Sequence, residues 1–176
     1  MRHEYEYHFD NVKICQLQQC DIEQLRIWRN NQDNCKFLKK IPFITKQQQQ
    51  LWYETYLNDE NVITFAIHEN RELLKIVGSL SIYNICLDKA EIGHVMIGEK
   101  KAHGKGLGLK AMVAALSFCF KVFRLKQVYL HVYEENIAAF KIYKKAGFSV
   151  KSYTKIELRT DLIMEITRDE FFNKWK

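Results

Sequence analysis

The chain has 176 residues, 47% of them hydrophobic and 27% charged, a balance that excludes a disordered polypeptide and suits one domain with one core. No apolar stretch approaches the roughly 20 residues of a membrane span, and the N-terminal MRHEYEYHFD is too polar for a signal peptide, so a cytoplasmic protein is expected. The net charge of +6 suits an anionic ligand without specifying one, and the lysines and arginines are scattered without any RNA-binding or zinc-finger signature, so neither nucleic acid nor membrane is expected as a partner.

In chain order, Val12 to Leu17 reads as a strand. Asp21, with Gln24 three residues on, reads as a capping box that opens a helix carrying Leu25 and Trp28 inward and ending near Arg29. Asn30 to Asn34 is turn chemistry, and the only proline, Pro42, sits in a loop. Thr45 with Gln48 is a second capping box, opening a helix through Trp52 to about Leu57 whose run Gln47 to Gln50 is one polar face. The apolar period then changes from 3.6 to 2. Strands are expected at Val62 to His68, Lys75 to Tyr83 and Lys89 to Ile97, the last two holding Gly78 and Gly93, residues that mark bulges or close backbone approaches. Leu109, Met112, Val113, Leu116, Phe120 and Phe123 line one face of a helix. Gln127 to Val132 is a short buried strand, Asn136 to Ala146 a helix stopped by Gly147, and Phe148 to Thr154 and Leu162 to Ile166 close the sheet. Three successive strands with short turns imply antiparallel pairing, and strand-helix-strand implies a parallel crossover. The expected fold is α/β (α+β): a mixed, mostly antiparallel, seven-stranded sheet with helices on both faces.

The five cysteines are odd in number and form no C-x-x-C, so buried free thiols are expected, with neither a disulfide framework nor a metal site.

The stretch Lys100 to Met112 places Gly104, Gly106 and Gly108 at the mouth of a helix. It is not a P-loop: five residues separate Gly98 from the Gly104-Lys105 pair, and no hydroxyl residue follows to hold magnesium. Nor is it a dinucleotide fingerprint, since G-x-G-x-G sits in mid-chain after an antiparallel region. A flexible loop with a glycine helix start is one reading. The other is an anion site: the unbonded amides of a first helical turn converge on one spot, and missing Cβ atoms let a diphosphate approach. In the second stretch, Asn136 and Tyr143 are two helical turns apart and share a face that Ala139 leaves shallow, so a thin ligand can lie along it. Taken singly, Asn136 reads as a cap and Tyr143 as a core aromatic.

Together the two stretches resemble the GNAT superfamily of acetyl-CoA-dependent N-acetyltransferases. Its Q/R-x-x-G-x-G/A is met by Lys101-Ala102-His103-Gly104-Lys105-Gly106 except at the first position, and its N-x-x-A-x-x-x-Y-x-x-x-G-F is met in full from Asn136 to Phe148. The strand order is also similar, so the resemblance spans about Phe9 to Arg168. It implies that Val95, Met96 and Ile97 pair with pantetheine while the amides of His103, Gly104, Lys105, Gly106, Leu107 and Gly108 hold the diphosphate. It also implies that the strands Lys89 to Ile97 and Gln127 to Val132 splay apart around the thioester. Lys101 puts one side-chain contact in question, and Asn136 and Ala139 line the cofactor. Tyr143 stands where the family has its general acid. His131 is a candidate base, because imidazole is the side chain best suited to accept a proton at neutral pH; Glu91 and His94 are rivals, and a hydrogen-bonded structural role for His131 is the other reading.

In this superfamily the two N-terminal helices and the loop between them build the acceptor site. Here that segment holds Arg29, Asn30, Lys39, Lys40 and Trp52, and a Trp28-Arg29-Asn30 helix end followed by the Ile44-Thr45 to Trp52 helix start is similar to amino-sugar acetyltransferases acting on nucleotide-linked 4-amino sugars. The expected reaction is acetyl transfer to a primary amine of a small molecule of that kind. Protein N-termini, aminoglycosides and a non-catalytic acyl-CoA sensor are the alternatives. Many relatives dimerise, and Phe171, Phe172 and Trp175 either form such an interface or pack on the sheet.

Overall fold

The computed structural model describes residues 3–38 and 41–176; Lys39 and Lys40, expected beside the acceptor, lie outside the described residues. The elements are β1 (Glu6–Phe9), β2 (Val12–Gln16), α1 (Ile22–Asn30), α2 (Gln32–Cys35), α3 (Lys46–Asn58), β3 (Val62–Glu69), β4 (Lys75–Cys86), β5 (Lys89–Ile97), a 3-10 turn (Lys100–Ala102), α4 (Leu107–Lys121), β6 (Gln127–Tyr133), α5 (Ile137–Ala146), β7 (Ser149–Ile156), β8 (Arg159–Thr167) and α6 (Arg168–Lys174). One sheet runs in the order β1-β2-β3-β4-β5-β6-β8-β7.

The sheet is mixed and mostly antiparallel, as expected, but among the described residues it has eight strands instead of seven. The added β1 is too polar to announce itself: Glu6 and His8 alternate with Tyr7 and Phe9, and it forms by hairpin pairing with β2 across Asp10-Asn11, where Asp10 takes φ 52°. Its Phe9 packs edge-on against Trp175, which also donates its indole N–H to the Ala146 carbonyl. The aromatic tail therefore packs within its own fold, with Phe171 buried.

Alternation in β3 shows how the faces divide. Phe65 and Ile67 belong to the large core under α4, whereas Ala66 between them belongs to a smaller core with Leu25 and Trp28 of α1 and Tyr53 and Tyr56 of α3. Helix α4 is buried on nearly every side, well beyond the single face its apolar spacing indicates. The Thr45–Gln48 capping box forms. The one at Asp21 does not: Asp21 has helical backbone angles, and its carboxylate turns back to accept from the Gln18 amide at 2.9 Å. Asn31 instead caps the short α2, where a turn was expected. All five cysteines are free, but only Cys119 is buried; Cys20 and Cys86 are exposed.

Two features of the sheet matter for the site. Beta-5 carries a bulge: Ser79 pairs with Met96 and Ser81 with Gly93, so Leu80 alone faces both His94 and Val95. His94 takes φ 51° there. Among the described residues the only parallel pairing, β5 with β6, covers Lys89–Gln127, Ala90–Val128 and Glu91–Tyr129 and then stops.

The β3–β4 loop is braced by Glu69, a side chain only 1% exposed as a residue. Burial pushes its carboxyl up, but the amides of Leu73, Arg71 and Glu72 and the Asn11 side chain outweigh this and hold it at about 2. Because the folded value lies below the ordinary 4.5, this stabilisation is present above about pH 4.5 and is lost as pH falls toward 2. Glu69→Gln is therefore expected to lower the urea midpoint at pH 7, with the gap to wild type closing below pH 4, as followed by circular dichroism.

Candidate active site

A groove of about 570 Å³ opens where β5 and β6 part. One wall is β5 from Gly93 to Ile97, the other is β6 from His131 to Tyr133, and α5 lines it with Asn136, Ala139 and Tyr143. Beyond Glu91 the β5 edge has lost its β6 partner, so its backbone groups on that side are available to an extended ligand. The Ile97 carbonyl is an exception, since it lies 2.7 Å from His103 Nε2.

At one end of the groove is the start of α4. Gly104 and Gly106 take φ 75° and 72°, the left-handed region that favours glycine, and a Cβ at either would meet nothing within 4 Å. The space above both is open, as a cradle for a bound anion requires. Gly108 differs: a Cβ there would lie 3.2 Å from Ile142 Cδ1, so its glycine serves the packing of α4 on α5. At the start of α4 the Leu109 amide donates to the Gly106 carbonyl at 3.1 Å, while the Leu107 and Gly108 amides have no acceptor within the helix, and the helix dipole favours an anion before them. Lys105 is held to Glu72 by an ion pair, and Lys101 is exposed and outside the groove lining. Gly98, after β5, permits close contact with α1; a Cβ there would come within 2.2 Å of the Trp28 ring.

Tyr143 reaches the groove from the second turn of α5, a helix capped by Asn136 Oδ1 accepting from the Ala139 amide and ended at Gly147, φ 120°. Burial alone pushes the Tyr143 phenol up to about 12, so it stays protonated well above neutral pH and is available as a donor.

His131 lies on the β6 wall with Nδ1 2.6 Å from Asp161 Oδ2 of β8. Glu91 is placed differently from expectation. Its carboxylate accepts from Tyr83 Oη and Asn84 Nδ2, both at 2.8 Å, and does not line the groove. It sits at the last paired position before the strands part, where it ties β4 to the fork.

A second cavity of about 400 Å³ lies between the sheet and α1/α3. Arg29, Gln49 and Trp52 line it from the helices and Thr64, Ser79 and Ser81 from the sheet. His94 and Met96 line both cavities, so the two meet at the β5 bulge. Burial first, and the Arg29 charge second, hold the His94 imidazole below its ordinary value against the opposing pull of Glu91. Of the residues expected to bind the acceptor, Arg29 and Trp52 line this cavity, whereas Asn30 does not: its amide clasps the backbone of Ile44 in both directions, at 2.9 and 2.8 Å. Sequence reasoning missed Asp161 and the polar floor of Thr64, Ser79 and Ser81. Strand alternation carries the signal for the floor; Asp161 becomes visible only through its register opposite β6. Among the described residues no three His, Cys, Asp or Glu side chains converge to hold a metal, and no helix is long and apolar enough to cross a membrane.

The open space at Gly104 yields a direct test. Gly104→Val places a β-branched residue at φ 75°, a strain of about 1–3 kcal/mol, and fills the cradle. Calorimetric affinity for acetyl-CoA is expected to fall by about tenfold or more, with the thermal midpoint lowered by about 2–12 °C through the strain alone.

The model of the acetyltransferase (GNAT) domain matches residues 12–149, more than half of the chain. The spermidine N(1)-acetyltransferase of Escherichia coli (strain K12) is 27% identical over 141 residues, covering 80% of this chain and 74% of that protein. An N-acetyltransferase 9-like protein of Caenorhabditis briggsae is 23% identical over 162 residues, covering 82% and 81%. The crystal structure of spermidine N-acetyltransferase from Vibrio cholerae, in complex with CoA and spermine, superimposes with a TM-score of 0.81 at 19% identity over 93% of this chain and 99% of that one. With the first turn of α4 at Gly108, the parted strands and the buried phenol on one groove, the chain belongs to the GNAT family of acetyl-CoA-dependent N-acetyltransferases.

Proposed function

We propose that this enzyme acetylates a primary amine of a linear polyamine such as spermidine, with the acceptor entering where the second cavity meets the groove. The observation that carries the reading is that the relatives sharing most of this chain's length include spermidine acetyltransferases from Escherichia coli and Vibrio cholerae. Asp33 of α2 and Asp161 of β8, both on the groove wall, supply carboxylates that a polycation would meet. The amino-sugar reading is favoured by a different observation: among the described residues the second cavity is lined by Arg29 and by no carboxylate, which suits an acceptor with an anionic part.

In the proposed reaction acetyl-CoA supplies the acyl thioester. Val95, Met96 and Ile97 would hold its pantetheine arm, the loop from His103 to Gly108 its diphosphate, and the Asn136–Ala139–Tyr143 face its length. His131 takes one proton from the ammonium group of the acceptor. The amine nitrogen then forms the C–N bond as the C–S bond breaks, and strand-end amides at the β5 bulge donate to the carbonyl oxygen as charge gathers there. The Tyr143 phenol donates its hydrogen to the leaving sulfur, and the second amine proton restores the phenol. One proton is released per amide formed. Glu91 shapes the site by holding the fork.

Thiol release from acetyl-CoA is to be measured against spermidine, spermine, nucleotide-linked amino sugars, N-terminal peptides and aminoglycosides. Turnover is expected with the polyamines; turnover with the nucleotide-linked sugars alone would overturn the polyamine assignment in favour of the Arg29 reading. Tyr143→Phe is expected to lower kcat by about a hundredfold while leaving acetyl-CoA affinity unchanged; full turnover would remove the phenol from the mechanism.

A further inference from the structure

Two imidazoles face the region where the amine must lose its proton, His94 at the β5 bulge and His131 on β6. They differ in what holds them. His94 stacks on Tyr83, ring centroids 5.4 Å apart, a contact that leaves its tautomer open. His131 has a directional partner: Asp161 Oδ2 at 2.6 Å from Nδ1, within the range of a charge-assisted hydrogen bond. The Asp161 side chain is 11% exposed, while the His131 side chain, which lines the groove, is 41% exposed. Asp161 comes from a different strand, paired in register with Tyr133, two residues along β6 from His131. The antiparallel β6–β8 ladder is continuous from Gln127 to Tyr133, so the pair is held by backbone on both sides.

We propose that Asp161 is a positioning residue for acetyl transfer: it accepts the Nδ1 proton of His131 and so leaves Nε2 as the unprotonated nitrogen that takes the proton of the acceptor amine. A carboxylate beside Nδ1 selects the Nδ1–H tautomer, because the alternative would set an imidazole lone pair against a carboxylate oxygen. It also fixes the ring plane, so that the basic nitrogen does not need to find its direction in each turnover. The step is a proton transfer only: the ammonium N–H bond breaks, the His131 Nε2–H bond forms, and the imidazolium is left beside the Asp161 carboxylate.

The inference rests on the acetyl-transfer reading above, and its test has an arm that does not need the acceptor. Nitrogen-15 spectra of protein labelled at histidine, with His131 assigned by comparison with His131→Gln, report the tautomer directly. The Nδ1–H form is expected for His131 in the wild type, and a mixture in Asp161→Ala. An Nε2–H form in the wild type, or an unchanged tautomer in Asp161→Ala, would overturn the proposal whether or not any amine is turned over. The kinetic arm uses Asp161→Asn, which keeps the shape of the side chain. It is expected to lower kcat by about tenfold or more while KM for acetyl-CoA stays within about twofold, and Asp161→Glu is expected to restore part of the loss. If His94→Gln abolishes kcat while Asp161→Asn leaves it intact, the proton goes to His94 and the proposal fails. Acetyl-CoA binding without thiol release on any amine would sink the acetyl-transfer reading, with the tautomer measurement still deciding the pair.

Discussion

The site depends on a parallel strand pairing that stops after three residues. Beta-5 and β6 run together from Lys89 to Glu91 and from Gln127 to Tyr129, and beyond that point each leaves one backbone edge unpartnered. An open edge inside a sheet is costly unless something occupies it. Here the gap is the groove. The fork is held by side chains, since Glu91 at its apex accepts from Tyr83 and Asn84 of β4. Above the apex, the bulge at His94 and Val95 turns β5 so that His94 and Met96 face both cavities. A non-glycine residue at φ 51° in a strand is the local strain that accompanies this turn.

Charge is arranged along the groove in a graded way. The α4 end offers the Leu107 and Gly108 amides and a helix dipole with the two left-handed glycines before it. Its neighbouring lysine is tied to Glu72 on a loop that buried Glu69 organises, so the start of α4 is tied to the β3–β4 loop. The middle holds a neutral phenol, and the far wall holds the His131–Asp161 pair. A phosphate-bearing cofactor arriving from the glycine end would thus meet donors first and a proton-handling group last.

The acceptor side is built differently. Helices α1 and α3 close over the sheet through a small core that includes Trp28, Tyr53 and Tyr56, and Trp28 can sit so close to β5 only because Gly98 has no side chain. Asn30 locks the loop between them by bonding both the amide and the carbonyl of Ile44. What remains open is a cavity with an aromatic wall at Trp52, a hydroxyl-lined floor and one guanidinium.

The sequence by itself determined the two motifs, their order and the elements around them, because glycines at a helix mouth and the Asn136-to-Phe148 spacing are local features that need no partner to be recognised. It also gave Tyr143 and Asn136 to one helical face, since helical periodicity places residues seven apart together. What only the tertiary structure decided are the features made by distant segments. The strand β1 exists through hairpin pairing and the tail packed against it, and its own composition is polar. Gly108 and Gly98 look like their neighbours in sequence, yet they serve packing against Ile142 and Trp28. Glu91 and His131 are both plausible bases as residue types, and the register separates them: it closes one around Tyr83 and Asn84 and sets the other against Asp161, thirty residues away. Proton chemistry at a site follows from which polar atoms lie within hydrogen-bond reach, and that distance is set by the pairing of strands, which no single stretch of the chain encodes.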